Sequence, residues 1–125
     1  MKLLVATDGT QSAEFALDHV AHLPLREGVP EILVLTVSRT AAGISTLANA
    51  KALLRAHGLT GKALWRVGED VAATIVETAV DEKVDLIVLG CRTRQQSGAA
   101  PPDSVSDGVA CLSPVPVLVV KTPEF

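Results

Sequence analysis

The sequence predicts an α/β domain in which a five-stranded parallel sheet is wound with helices on both faces. Short, nearly continuous apolar runs rich in Val, Ile and Leu recur along the chain, and apolar residues at helical spacing fill the intervals between them. Ala, Val, Leu and Ile carry almost all of a 48% apolar share, with two Phe, one Trp and no Tyr. That is the composition of a β-branched sheet covered by Ala/Leu helices. Alternation of the two patterns calls for right-handed crossovers and a parallel, doubly wound sheet.

Each element has its own signal. "KLLVAT" (2–7), "EILVLTV" (31–37), "DLIVLG" (85–90) and "PVLVVK" (116–121) read as strands buried on both faces, and "KALWRV" (62–67) as a weaker strand. Ser12 is placed as the cap of a first helix with Ala13, Ala16, Leu17, Val20 and Ala21 on one face. A second helix over about 45–57 sets Leu47, Ala50, Leu53 and Leu54 at helical spacing, and "SRTAAGIS" (38–45) before it admits two readings, a mobile loop or an early helix start. Asp70 caps a third helix with Ala72, Ile75, Val76, Ala79 and Val80 inward; Asp103 or Ser104 opens a fourth with Val105, Val109 and Leu112 inward.

At 125 residues the chain fits one domain, 1–125, with no repeat, linker or low-complexity tract. The net charge of −3 and the lack of a basic block argue against nucleic acid and anionic membrane as partners, and the scarcity of aromatics argues against a stacking platform for single strands. "MKLLVATDG" is too short an apolar run for a signal peptide or a membrane span, so a cytoplasmic protein is expected. Cys91 and Cys111 lack CxxC spacing and are expected as reduced thiols.

In a doubly wound sheet, ligands sit outside the carboxyl ends of the strands where the winding reverses. Two strand exits therefore matter, "TDGTQS" (7–12) and "GCRTRQQSGAAPPDS" (90–104). The residues Asp8-Gly9-Thr10 with Ser12, "VDLIVLG" (84–90) and "DSVSDGVACLSPVPVLVVK" (103–121) resemble the universal stress protein family over essentially the whole chain. The resemblance implies a cytoplasmic, mostly dimeric α/β protein with sheet order 3-2-1-4-5, some of whose members bind ATP. In those members an acidic residue at the first strand exit faces the adenosine, main chain at the end of the second strand meets the adenine, and a Gly-x2-Gly-x9-Gly-Ser/Thr loop wraps the phosphates. Carried over, Asp8 is the acidic residue, Val37 the strand-two neighbour and Gly90 the first glycine; Thr93 and Asp103 occupy the other two glycine positions, and Ser104 keeps the hydroxyl.

Each departure works against a phosphate ligand. A β-branched Thr93 in a left-handed conformation costs roughly 1–2 kcal/mol where glycine costs nothing. A carboxylate at Asp103 about 4 Å from a phosphate charge repels it by about 1–4 kcal/mol, depending on the effective dielectric. Pro101 and Pro102 remove two N–H donors from the loop. Arg92 and Arg94, Gly98, and the hydroxyls of Ser104 and Ser106 offer partial compensation. The ordinary roles are solvated loop charge for the arginines and a helix N-cap for Asp103, and these are preferred. For Asp8, organising the "DGT" turn and contacting a ligand stand equal.

Other candidates are weaker. "TDGTQS" has too few glycines and serines for the pyrophosphatase-type loop of the related adenine nucleotide hydrolase fold. His19 and His22 lie three apart but lack partners for a metal, and Cys91 reads as an inert buried thiol. No catalytic constellation is visible, so a non-enzyme is expected. The last strand falls at a sheet edge in the implied order, and the family pairs that edge with its twin. A homodimer through about 113–121 is expected, with Val115, Val117 and Val119 on one face and Leu118 and Val120 on the other.

Two functional expectations result. The first is a dimeric stress-response accessory with a degenerate phosphate loop and weak or no ATP binding, acting through protein partners and requiring no cofactor. The alternative is an adenine-nucleotide-binding member, ATP with magnesium being the possible ligand. It would use Asp8, Gly9, Thr10, Val37, Gly90, Arg92, Ser104, Val105 and Ser106.

Overall fold

A computed structural model of the chain describes residues 2–8, 11–22, 31–92 and 104–122. Strands β1 (Lys2–Ala6), β2 (Glu31–Val37), β3 (Gly61–Arg66), β4 (Leu86–Arg92) and β5 (Val117–Thr122) alternate with helices α1 (Gln11–Ala21), α2 (Ala42–Ala56), α3 (Val71–Asp81) and α4 (Ser104–Leu112). Every strand pairing is parallel and the order is β3-β2-β1-β4-β5, as the resemblance implies. The sheet is the middle of three layers.

Period-two alternation divides the strand side chains between two cores. On one face Leu3, Val5, Ile32, Val34, Val88 and Val120 pack with Ala16, Leu17 and Val20 of α1 and Leu47, Ala50 and Leu54 of α2. On the other, Leu4, Leu33, Leu35, Ile87 and Leu89 pack with Ala72, Ile75 and Ala79 of α3 and Val109 of α4. Because β1, β2 and β4 bury both faces, they need continuous apolar runs. The edge strand β3 does not, which is why "KALWRV" is the weakest of the five signals.

Several boundaries and facings differ from expectation. Ser12 lies inside α1, which already starts at Gln11, so it is not the residue preceding the helix. The helix α2 takes the early start: Gly43 N–H bonds Thr40 O at 3.1 Å and Ile44 N–H bonds Ala41 O at 3.0 Å, a tight first turn that draws 42–44 into the helix. Val80 was expected inward and is 49% exposed, its place taken by Thr78 at 2%. The Thr78 hydroxyl donates to Thr74 O at 2.7 Å, which lets a polar residue occupy the core side of α3. Leu112, also expected inward, is 56% exposed as the last residue of α4, at the turn into the edge strand. Asp70 caps α3 as predicted, accepting from Ala73 N–H at 3.1 Å.

Candidate functional site

The register brings three of the expected site residues to one end of the sheet. Ala6 pairs with Leu35 and Val5 with Val88, so two residues further on Asp8 stands level with Val37, and Gly90 level with Thr7. Val37 ends β2, Gly90 lies on β4, and Asp8 follows the end of β1 between them. With about 4.8 Å between strands, Val37 and Gly90 are about 10 Å apart with the β1 exit between them. The Thr7 N–H bonds Leu35 O at 2.8 Å, continuing the β1–β2 ladder to the residue before Asp8. Winding reverses here, since β2 and β3 lie to one side of β1 and β4 and β5 to the other.

Asp8 is exposed and Val37 half-buried, its side chain packed toward α3 and α4. Val105 is half-buried in that same core, and Ser106 in the first turn of α4 is 6% exposed. A buried Ser106 offers little accessible surface to a ligand. Gly9, Thr10, Thr93, Arg94, Gly98, Pro101, Pro102 and Asp103 lie outside the described residues, as do the side chains of Ser12, Cys91, Arg92 and Ser104. The main chain of Arg92 ends β4 opposite Thr122, and Ser104 opens α4.

The corner after β2 is more tightly held than its sequence suggested. Ser38 N–H bonds Arg66 O at 3.0 Å, and the Trp65 indole Nε1–H donates to Ser38 O at 2.8 Å. The Ser38 hydroxyl oxygen accepts from Thr40 N–H at 3.2 Å. Arg39 and Glu69 approach to 3.7 Å across the neighbouring loops, but both side chains are mostly exposed and such a pair contributes little. A tryptophan on an edge strand beside a Ser-x-Thr turn was the available signal. It went unused because the run containing it reads as a marginal strand.

A second cluster lies at the C-terminal ends of α1 and α2. His57 Nε2 lies 2.9 Å from Asp18 Oδ1, His22 Nδ1 donates to Asp18 O at 2.8 Å, and the two imidazoles meet edge to face at 5.3 Å. His19 and His22 are both exposed, and among the described residues no group of three His, Cys, Asp or Glu could hold a metal ion. On β5, Leu118 and Val120 join the α1/α2 core while Val117, with Val115 just before the strand, joins the α3/α4 core, as expected for these four residues. No helix among the described residues is long and apolar enough to cross a membrane.

Comparison with known proteins agrees with this geometry. The model of the universal stress protein family matches residues 1–121. Universal stress protein YxiE of Bacillus subtilis (strain 168) is 30% identical, with 96% of this chain and 98% of that protein covered. A universal stress protein from Archaeoglobus fulgidus superposes with a TM-score of 0.82 at 27% identity, covering 97% of this chain and 98% of its own. A universal stress protein solved in complex with cAMP gives 0.77 at 27% identity, covering 96% and 95%. A single family thus accounts for the sheet order, the strand exits and nearly the whole length: the chain belongs to the universal stress protein family.

Proposed function

We propose that the protein is a dimeric, cytoplasmic, non-enzymatic stress-response accessory that acts through protein contacts and holds ATP weakly or not at all. The observation that carries this reading is the chemistry of the loop between β4 and α4. After Gly90 it places Thr93 and Asp103 where the resemblance implies glycine in nucleotide-binding members, with Pro101 and Pro102 directly before Asp103. Bulk, negative charge and missing N–H donors all act against a polyphosphate. Burial of Ser106 at 6% exposure supports the reading, since little of that residue is open to a ligand. The test is the double substitution Thr93→Gly with Asp103→Gly. Relief of even the smaller of the two penalties, about 1 kcal/mol, is expected to raise ATP affinity at least about fivefold by calorimetry. No gain would overturn the account of why the cradle is closed.

A second reading keeps the adenosine end of the cleft in use. Asp8, Val37 and Gly90 still converge at the switch point, and a relative of 27% identity was solved with cAMP. A ligand with one phosphate group needs no polyphosphate cradle. In this reading Asp8, Gly9, Thr10 and Val37 contact the nucleoside. Gly90, Arg92, Ser104, Val105 and Ser106 border the phosphate, and magnesium is not required. A ligand with one phosphate, AMP, would then bind at least as well as ATP in a competition titration. Preference for ATP would exclude it.

A further inference from the structure

The second reading sets an adenine base against the main chain at the end of β2, and the structure contains a device that holds that main chain still. Ser38, the residue after Val37, has its N–H, its carbonyl and its hydroxyl all engaged: N–H to Arg66 O at 3.0 Å, carbonyl from Trp65 Nε1–H at 2.8 Å, hydroxyl oxygen from Thr40 N–H at 3.2 Å. Two of the three tethers come from β3, the edge strand next to β2. The bond from Trp65 is the one made by a side chain from another element.

Trp65 is itself seated with little latitude. A Cβ at Gly43 would come within 3.2 Å of Nε1 and 3.3 Å of Cε2, so the first turn of α2 rests directly on the indole. The preceding Ala41 offers no side-chain cap, so this helix start is supported by Thr40, whose hydroxyl oxygen accepts from Ala42 N–H at 3.3 Å, and by the indole packed against it. Trp65 nevertheless remains 42% exposed, on the same face as Ser38 and toward the strand ends where the site lies. Packing alone would be served by Phe or Leu. What Trp adds is an N–H aimed at a main-chain carbonyl.

We propose that Trp65 is a positioning residue for the base end of the cleft, its indole N–H fixing the Ser38 carbonyl and through it the Val37 main chain on which an adenine base is set. The inference rests on the second reading above. A base recognised by main-chain groups gains affinity only when those groups are held in place before it arrives, because the ordering cost is then already met.

Trp65 is the sole tryptophan of the chain, so two independent perturbations reach it alone. One is Trp65→Phe. The other is biosynthetic replacement of tryptophan by its sulfur isostere, benzothienylalanine, which keeps the ring shape and lacks the N–H. Adenosine and AMP are titrated calorimetrically at a temperature where every variant is fully folded, and amide exchange is followed at residues 37–40. Both perturbed proteins are expected to bind adenosine and AMP about five- to tenfold more weakly, with the AMP-to-adenosine ratio unchanged and exchange at 37–40 accelerated. A merely structural role would lower the melting temperature and leave these affinities intact, and that result overturns the inference while the second reading stands. Absence of binding by the unmodified protein at millimolar AMP overturns the second reading and the inference together, and the unmodified protein alone distinguishes that failure from the other.

Discussion

Lys83 adopts the left-handed conformation (φ 55°) after α3, in the place that Gly58 (φ 76°) holds after α2. The two helix ends share one hydrogen-bond pattern: Leu59 N–H reaches Leu54 O and Gly58 N–H reaches Arg55 O, while Val84 N–H reaches Ala79 O and Lys83 N–H reaches Val80 O. Both are Schellman ends, closed by the apolar pairs Leu59/Leu54 and Val84/Ala79. Glycine suits such a position and lysine is strained there, so Lys83→Gly relieves about 1–2 kcal/mol and gives back part of it in unfolded-state entropy. The expected net is a gain of about 0.5–1 kcal/mol in urea unfolding; a loss would contradict the strain argument. Residues whose role is local were readable from sequence, as the Asp70 cap shows, because a cap needs only its own helix. Thr78 was not, since burial of its hydroxyl depends on the bond back to Thr74 O that only the formed helix provides.

Helices α3 and α4 pack at close quarters through Gly108, where an added Cβ would lie 2.8 Å from the Ala72 Cβ. Alanine is favoured over glycine within an exposed helix by about 1 kcal/mol. Here the facing atom is borne directly by backbone and cannot swing away, so overpacking of about 1–3 kcal/mol outweighs that preference. Gly108→Val is therefore expected to destabilise the protein by about 1–3 kcal/mol in denaturant unfolding. Adding Ala72→Gly should couple favourably with it, so that the pair costs less than the sum of the singles. Additive costs would place the strain elsewhere. Element types followed from periodicity, but their ends did not always. The helix α2 begins at Ala42 because the Thr40 turn and the Trp65 indole support its first residues, and both contributions come from outside the apolar stripe that marks the helix.

Across the whole sheet the two edges differ in kind. The edge strand β3 exposes two charges that discourage pairing with another strand, Lys62 and Arg66, whereas β5 has one, Lys121, after the apolar run Val117 to Val120. In the proposed dimer the less charged edge, β5, is the one that meets a second copy. Light scattering at micromolar concentration is expected to give the mass of a dimer, and Val119→Lys to give a folded monomer; a monomeric parent protein would remove the dimer from the account. The layered architecture could be read from continuous apolar runs alone, while the sheet order came from resemblance, because local pattern does not say which strands are neighbours. The convergence of Asp8, Val37 and Gly90 likewise needed the register, being a property of three strands far apart in sequence. In the proposed function this convergence survives while the phosphate cradle beyond Gly90 has been retired. The most direct test of that function is a calorimetric titration of the purified protein with ATP and magnesium, with AMP in parallel. No ATP binding tighter than millimolar and no advantage of ATP over AMP are expected. Micromolar binding of ATP that AMP does not share would contradict the proposal, and would mean that Arg92, Arg94 and the start of α4 rebuild a phosphate site despite Thr93 and Asp103.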